Sequence, residues 1–340
     1  KADPCVFVRN NCVYVLYTDD SILAGPTEGE IDNVIKEMET AGLDLTVEGD
    51  ITDFLGVNIE RRDDKFILTQ PHLIDAVLED LGLTGDRTQA KSTPAAVSKV
   101  LSAHRASAAF DGHFHYRSVI GKLNYLDRGS RPDISYATHQ CARFSADPKV
   151  EHGNAVKWLG RYLLGTRDKG LVMTITDDDF TVHVDADFSG NWKCDEAADD
   201  PDTARSRLMY NISWSGCPLI WVSRLQSEIA LSSTESEFIG LSMALRETIP
   251  LMELLKELKQ QGVPVGSTKP KVFCRVFEDN SGALEIATVP KMRPRTKTIN
   301  IKYHHFRQYV DRSEIEVKAI DLEDNPADMM TKPVALRILQ

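Results

Sequence analysis

The stretch FTVHVDADF, Phe180 to Phe188, sets Phe180, Val182 and Val184 on one side and Thr181 and His183 on the other. A period of two in β-branched and aromatic residues predicts a strand with one buried face. The strand ends on a carboxylate, Asp185, with another, Asp187, two places on. Downstream, SRLMYNISWSGCPLIWVSRLQ (206–226) reads as two strands around a turn at Ser215-Gly216. A long helix is expected from about Ser233, broken or kinked at Pro250. KVFCRVFEDN is a strand, SGALEIAT a helix and EVKAIDL a final strand, with a terminal helix expected to begin in NPADMMTKP. From about residue 171 the order is therefore β-β-β-α-β-α-β-α.

Upstream, residues 1–70 read as β-rich. The arms VYVLY and SILAG flank Asp19 and Asp20, EIDNVIKEMETAG is helical, and FLGVNIERR and KFILTQ are strand-like. Residues 71–170 turn helical. In PHLIDAVLEDLGL, Leu73, Ile74, Val77, Leu78 and Leu81 share one face, with Pro71 and Gly82 as punctuation. YRSVIGKLNYL and HGNAVKWLGRYLLG give two more helices, separated from the first by a polar loop from Thr84 to about His113. The chain has 340 residues, so more than one core is expected. Hydrophobic content of 42% and charged content of 27% are those of a soluble globular protein. No apolar run is long enough for a membrane, and no signal peptide or initiator Met opens the chain, which reads as a piece of something longer. Six scattered cysteines argue against a zinc site or disulfide framework and for a reducing compartment.

Four carboxylates stand out by position: Asp185 and Asp279 at strand ends, Glu237 at a helix start, and Asp328 where the terminal helix should begin. Singly, each reads as a turn, cap or dipole residue. Gathered at one end of a mixed sheet they would repel one another unless cations lay between them. Two Mg2+ ions about 4 Å apart are the usual answer, and they promote in-line attack of water on a phosphodiester. The net charge of −11 opposes a nucleic-acid partner. PKMRPRTKTINIKYHHFR is the exception: Lys291, Arg293, Arg295, Lys297, Lys302 and Arg307 are uninterrupted by any acid, which suits phosphate contact.

Together with YTDD (Tyr17 to Asp20), FLGVNIER, LTQPHLIDAVLEDLGL, YRSVIGKLNYL, RPDISYATHQCARF, HGNAVKWLGRYLLGT, VDADFSG, ALSSTESEFIGLS, EDNSGA and NPADMMTKP, these features resemble the C-terminal part of a Copia-type retrotransposon polyprotein, the end of reverse transcriptase followed by ribonuclease H. The motifs run in the family's order over nearly the whole chain. The resemblance implies a mixed α/β and α+β architecture: a truncated reverse-transcriptase palm (1–70), a helical thumb and connection (71–170), and an RNase H-like domain with a five-stranded mixed sheet flanked by helices (171–340). It implies an RNase H metal site of Asp185, Glu237, Asp279 and Asp328 holding Mg2+, with Mn2+ as a substitute. In resembling domains the catalytic Glu precedes a bulky apolar residue, with a small residue two places on. That favours Glu237 over Glu235, which stays the alternative. Asp187 is read as supporting or solvated. Asp19 and Asp20 resemble the polymerase Asp pair that helps bind two metals. The further palm Asp and the fingers are not in this sequence, so no polymerase activity is expected of it.

The implied substrates are an RNA–DNA hybrid and template–primer nucleic acid, with other polyprotein products or a second polymerase chain as partners. The implied location is intracellular: cytoplasmic, in a virus-like particle, and nuclear. Leu208-Met209 stands where Thr-Gly is common, which questions the local turn or bulge. Thr298 stands where His is common, and the acidic loop before Pro201 is longer than usual. One of His304 and His305 is expected to pack as an aromatic. A catalytically inactive nucleic-acid-binding remnant is the competing reading. An integrase-like strand transferase is disfavoured, because its acids would run Asp, Asp, Glu.

Overall fold

The computed structural model describes residues 3–85, 88–96, 100–103, 106–192, 194, 200–266, 272–289 and 304–327. The chain opens with a three-stranded antiparallel sheet of β1 (Val6–Arg9), β2 (Cys12–Tyr17) and β3 (Asp20–Ala24), followed by helix α1 (Glu28–Thr40). Asn10 and Asn11, both at positive φ, make the first tight turn, as the twist of a two-residue hairpin demands. The second turn is Thr18-Asp19, and Asp20 already pairs with Tyr17. A second sheet follows, of β4 (Asp53–Phe54), β5 (Val57–Arg62) and β6 (Lys65–Thr69).

Helices α2 (Pro71–Asp80), α3 (Tyr116–Ser130), α4 (Ser135–Ala142) and α5 (Val150–Gly165) pack around Ile74, Val77, Leu123, Leu126, Leu159 and Leu163, all fully buried. Helix α4 was not foreseen. Its sequence SYATHQCA is buried almost all round, so it carries no apolar stripe for periodicity to detect. Strand β7 (Leu171–Thr174) then returns to pair with β6, so it completes the second sheet rather than opening a third.

The C-terminal sheet consists of β8 (Phe180–Asp187), β9 (Arg207–Trp214) and β10 (Cys217–Leu225), then, beyond helix α6 (Ser233–Gln260), β11 (Cys274–Glu278), helix α7 (Ser281–Thr288), helix α8 (Arg307–Asp311) and β12 (Ile315–Ala319). Its strand order is β10-β9-β8-β11-β12, antiparallel through β8 and parallel from β8 to β12. This is the mixed five-stranded sheet expected. The β9–β10 turn is Ser215-Gly216, both at positive φ. Regular pairing of Asp185 with Met209 and Ala186 with Leu208 removes the bulge questioned at Leu208-Met209; the register shift lies between Pro218 and Ile220 instead.

Helix α6 covers the face carrying Val182, Val184, Leu208 and Tyr210 with Phe238, Leu241 and Leu245. Each such side chain contributes about 1.5–3 kcal/mol by leaving water. Gly240 lets the helix approach: a Cβ there would lie 3.2 Å from Val184 Cγ1. Of the break or kink expected at Pro250, the break is absent: α6 runs through it as one helix.

The opposite face meets the helical layer. Trp221 Nε1 donates to the backbone oxygen (3.0 Å) and to Oδ1 (3.2 Å) of Asp127 on α3. The buried Arg207 guanidinium lies over the Tyr136 ring at 4.9 Å, and its Nη1 is 3.2 Å from His139 Nδ1, both on α4. Burial pushes Asp127 up to about 7, against hydrogen bonds from Ser135 and Trp221 that pull it down. An unfolded Asp titrates near ~4, so between about pH 4 and 7 the folded state holds a proton that the unfolded state releases, and stability falls as pH rises. Asp127→Asn should therefore gain on the parent as pH rises through this window, by about 4 kcal/mol at pH 8 in urea unfolding. A pH-independent difference would contradict this.

Candidate metal centre

The parallel ladder between β8 and β11 pairs Phe180 with Cys274 through His183 with Phe277. Asp185 lies two residues past the end of that ladder on β8, and Asp279 two residues past it beyond β11. Alternation puts both on the face of His183 and Phe277, whose rings stack at 5.0 Å. The third acid comes from α6. Ser232 caps that helix, accepting from the Glu235 N–H at 3.1 Å, while the Glu235 carboxylate accepts from the Leu231 N–H at 2.8 Å. Glu235 is thus spent on the helix start. Glu237, two residues on, turns inward.

One oxygen each of Asp185, Glu237 and Asp279 lies within 4.8 Å of the others, the one such acidic, His or Cys group among the described residues. Asp185 and Glu237 are buried and Asp279 half-buried. Burial, then the charges of Glu278, Asp185 and Asp279, raise Glu237 far above the carboxylate range, against a hydrogen bond from the Ala186 backbone. Glu237 Oε2 is buried without a hydrogen-bond partner. Such an atom is costly to leave unmatched. A divalent cation would match it, because hard cations take carboxylate oxygens. The residues present fit a metal.

Sequence reasoning missed Glu278. It is wholly buried, its Oε1 accepts from the Asn280 N–H at 3.1 Å, and Oε2 has no partner. Burial raises its carboxyl, with Asp279 and Asp185 adding to the rise. The signal was present: alternation through Cys274, Val276 and Glu278 sets a carboxylate on the buried face. Asp187 stands outside the triad, opposite the buried Arg207 across the β8–β9 ladder.

The other expected residues separate. Asp19 and Asp20 are exposed on the first sheet, and no third acid gathers with them among the described residues. Asp328, Lys291, Arg293, Arg295, Lys297 and Lys302 lie outside the described residues. Arg307 was assigned to phosphate, but its guanidinium donates to the carbonyl of Ile286 in the last turn of α7 and to that of Val289 just past it. Those carbonyls have no helical partner of their own, so Arg307 acts locally as a cap. His304 packs on Phe238 with ring centroids 5.0 Å apart, the packed aromatic expected, while His305 is exposed.

No family model matches the chain. It is 31% identical over 345 residues to the retrovirus-related Pol polyprotein from transposon TNT 1-94 of Nicotiana tabacum, covering 98% of this chain and 24% of that protein. It is 28% identical over 341 residues to the Pol polyprotein from transposon RE2 of Arabidopsis thaliana, covering 98% and 22%. The chain thus spans about a quarter of the length of these relatives. Among solved structures, the N-terminal RNase H domain of rv2228c from Mycobacterium tuberculosis aligns at 12% identity, covering 46% of this chain and 91% of that one, with a TM-score of 0.30. Along nearly its entire length, then, the homologues of this chain are retrotransposon Pol polyproteins.

Proposed function

We propose that this chain is the reverse transcriptase–ribonuclease H end of a Copia-type polyprotein, and that its C-terminal unit hydrolyses the RNA strand of RNA–DNA hybrids with Mg2+. The convergence of Asp185, Glu237 and Asp279, with a buried Glu237 oxygen lacking any partner, carries this reading. Asp328 is proposed as a fourth acid. Bound divalent cations supply positive charge at the scissile phosphate and lower the pKa of water. The protein's part is placement. Asp185 and Asp279 lie just past the paired ends of adjacent parallel strands, so the sheet brings them to the same edge. Glu237 is held from beneath by α6 and the Ala186 backbone. A low-dielectric floor strengthens every charge interaction in the site.

Lys291, Arg293, Arg295, Lys297 and Lys302 are proposed to contact the phosphates of the hybrid, whose 2′-hydroxyls and groove shape would be read rather than its sequence. Asp19 and Asp20 are proposed as half of a polymerase site, incomplete within this sequence, whose completion belongs to other polyprotein segments or a second chain. No helix among the described residues is long and apolar enough to cross a membrane. Action inside the cell, in the cytoplasm or nucleus, belongs to the same proposal.

A labelled RNA–DNA hybrid with Mg2+ tests the reading. The parent and Glu235→Gln should cleave the RNA strand, leaving 5′-phosphate and 3′-hydroxyl ends. Asp185→Asn and Glu237→Gln should bind the hybrid but not cut it. Parent protein that is folded and inert with both Mg2+ and Mn2+ would leave a binding remnant. Reversing Arg293 and Arg295 to Glu should weaken hybrid binding and flatten its log–log salt slope by about 2. An unchanged slope would remove these residues from the interface.

A further inference from the structure

We propose that Asn325 is a positioning residue of the metal centre, whose side-chain amide clamps the ends of β8 and β11 together and fixes the Asp279 carboxylate. This rests on reading the acid triad as a metal site. The β8–β11 ladder stops at His183 and Phe277, just short of the acids. Past that point strand pairing no longer sets the distance between Asp185 and Asp279. Asn325 spans this gap. Its Nδ2 donates to the Val184 carbonyl at 2.8 Å and to Asp279 Oδ2 at 3.4 Å. Its Oδ1 accepts from the Ala327 N–H at 3.1 Å. Both partners of Nδ2 are acceptors and the partner of Oδ1 is a donor, so only one amide orientation satisfies all three contacts.

Asn325 is 3% exposed and Ala327 fully buried, so water cannot replace these bonds cheaply. Val184 immediately precedes Asp185. One side chain therefore holds the backbone beside the first acid and the carboxylate of the third. Hydrogen bonds to a ligand from outside the coordination sphere fix its orientation, and their loss costs about ten- to a hundredfold in metal affinity. Leu322–Asp324 forms a short turn before Asn325, with the Asn325 N–H donating to the Leu322 carbonyl at 3.4 Å, which sets the side chain at the gap.

The test uses the whole chain and Mn2+ alone, with free Mn2+ read by electron paramagnetic resonance in the absence of nucleic acid. The parent should bind Mn2+ and Asp185→Asn should bind it far more weakly. Asn325→Ala should weaken binding about tenfold or more. In hybrid cleavage it should move the metal midpoint upward while kcat recovers towards the parent at saturating metal, as a general structural defect would not. Asn325→Asp keeps the shape and the acceptor for Ala327, but sets an oxygen against the Val184 carbonyl and Asp279. It should also weaken Mn2+ binding, and it carries the test if the alanine variant does not fold. Parent-like Mn2+ affinity in Asn325→Ala, or tighter binding by Asn325→Asp, would overturn the clamp and leave the metal centre standing. A parent that binds Mn2+ no better than Asp185→Asn would overturn the metal centre and the clamp with it.

Discussion

The parallel pairing of β8 with β11 is the constraint on which the site depends. It aligns two strands that are far apart in sequence and run in the same direction, so their carboxyl ends reach one edge together. Asp185 and Asp279 lie just past the last pair of that ladder. The arrangement opposes folding locally, because carboxylates in a low-dielectric floor repel and lose hydration. The buried layer between the sheet and α6 offsets that cost, and Gly240 lets the helix close on it. The apolar face of β8 and its acidic end are thus two halves of one design: one supplies stability, the other spends part of it on a charge cluster.

The sheet is also not freestanding. Its second face, over β9 and β10, is covered by α3 and α4 through Trp221 on Asp127 and Arg207 on Tyr136 and His139. Arg207 is almost wholly buried, and burial lowers it to about 10. Three arginines and the loss of water hold His139 neutral, down to about 3: burial acts first, then Arg207, Arg143 and Arg224. A charged group seated this way depends on the helical layer being present. Helices α3 and α4 therefore form part of the structural support of the C-terminal sheet.

Much of this was legible in the sequence for a physical reason. Alternation in FTVHVDADF and the turn at Ser215-Gly216 are local signals, and the structure follows them. The choice of Glu237 over Glu235 agrees with the geometry because a helix cap consumes Glu235. What failed depended on distant partners. Helix α4 is buried all round, so no stripe marks it. Pro250 does not interrupt α6, which is anchored by packing along its length. Strand β7 belongs to the second sheet through a pairing with β6 that no local pattern encodes. Arg307 looked like part of a phosphate-binding run until its contacts with α7 were seen. Asn325 opens the NPADMMTKP motif, but only the gap it spans shows what its side chain does.

The central claim is that Asp185, Glu237 and Asp279 form a metal centre. The most direct measurement is anomalous scattering from crystals of the whole chain soaked in Mn2+. A peak among these three carboxylates, removed by Asp185→Asn, is the predicted result. An ordered crystal with Mn2+ bound elsewhere, or with none among the three acids at saturating concentration, would contradict the account.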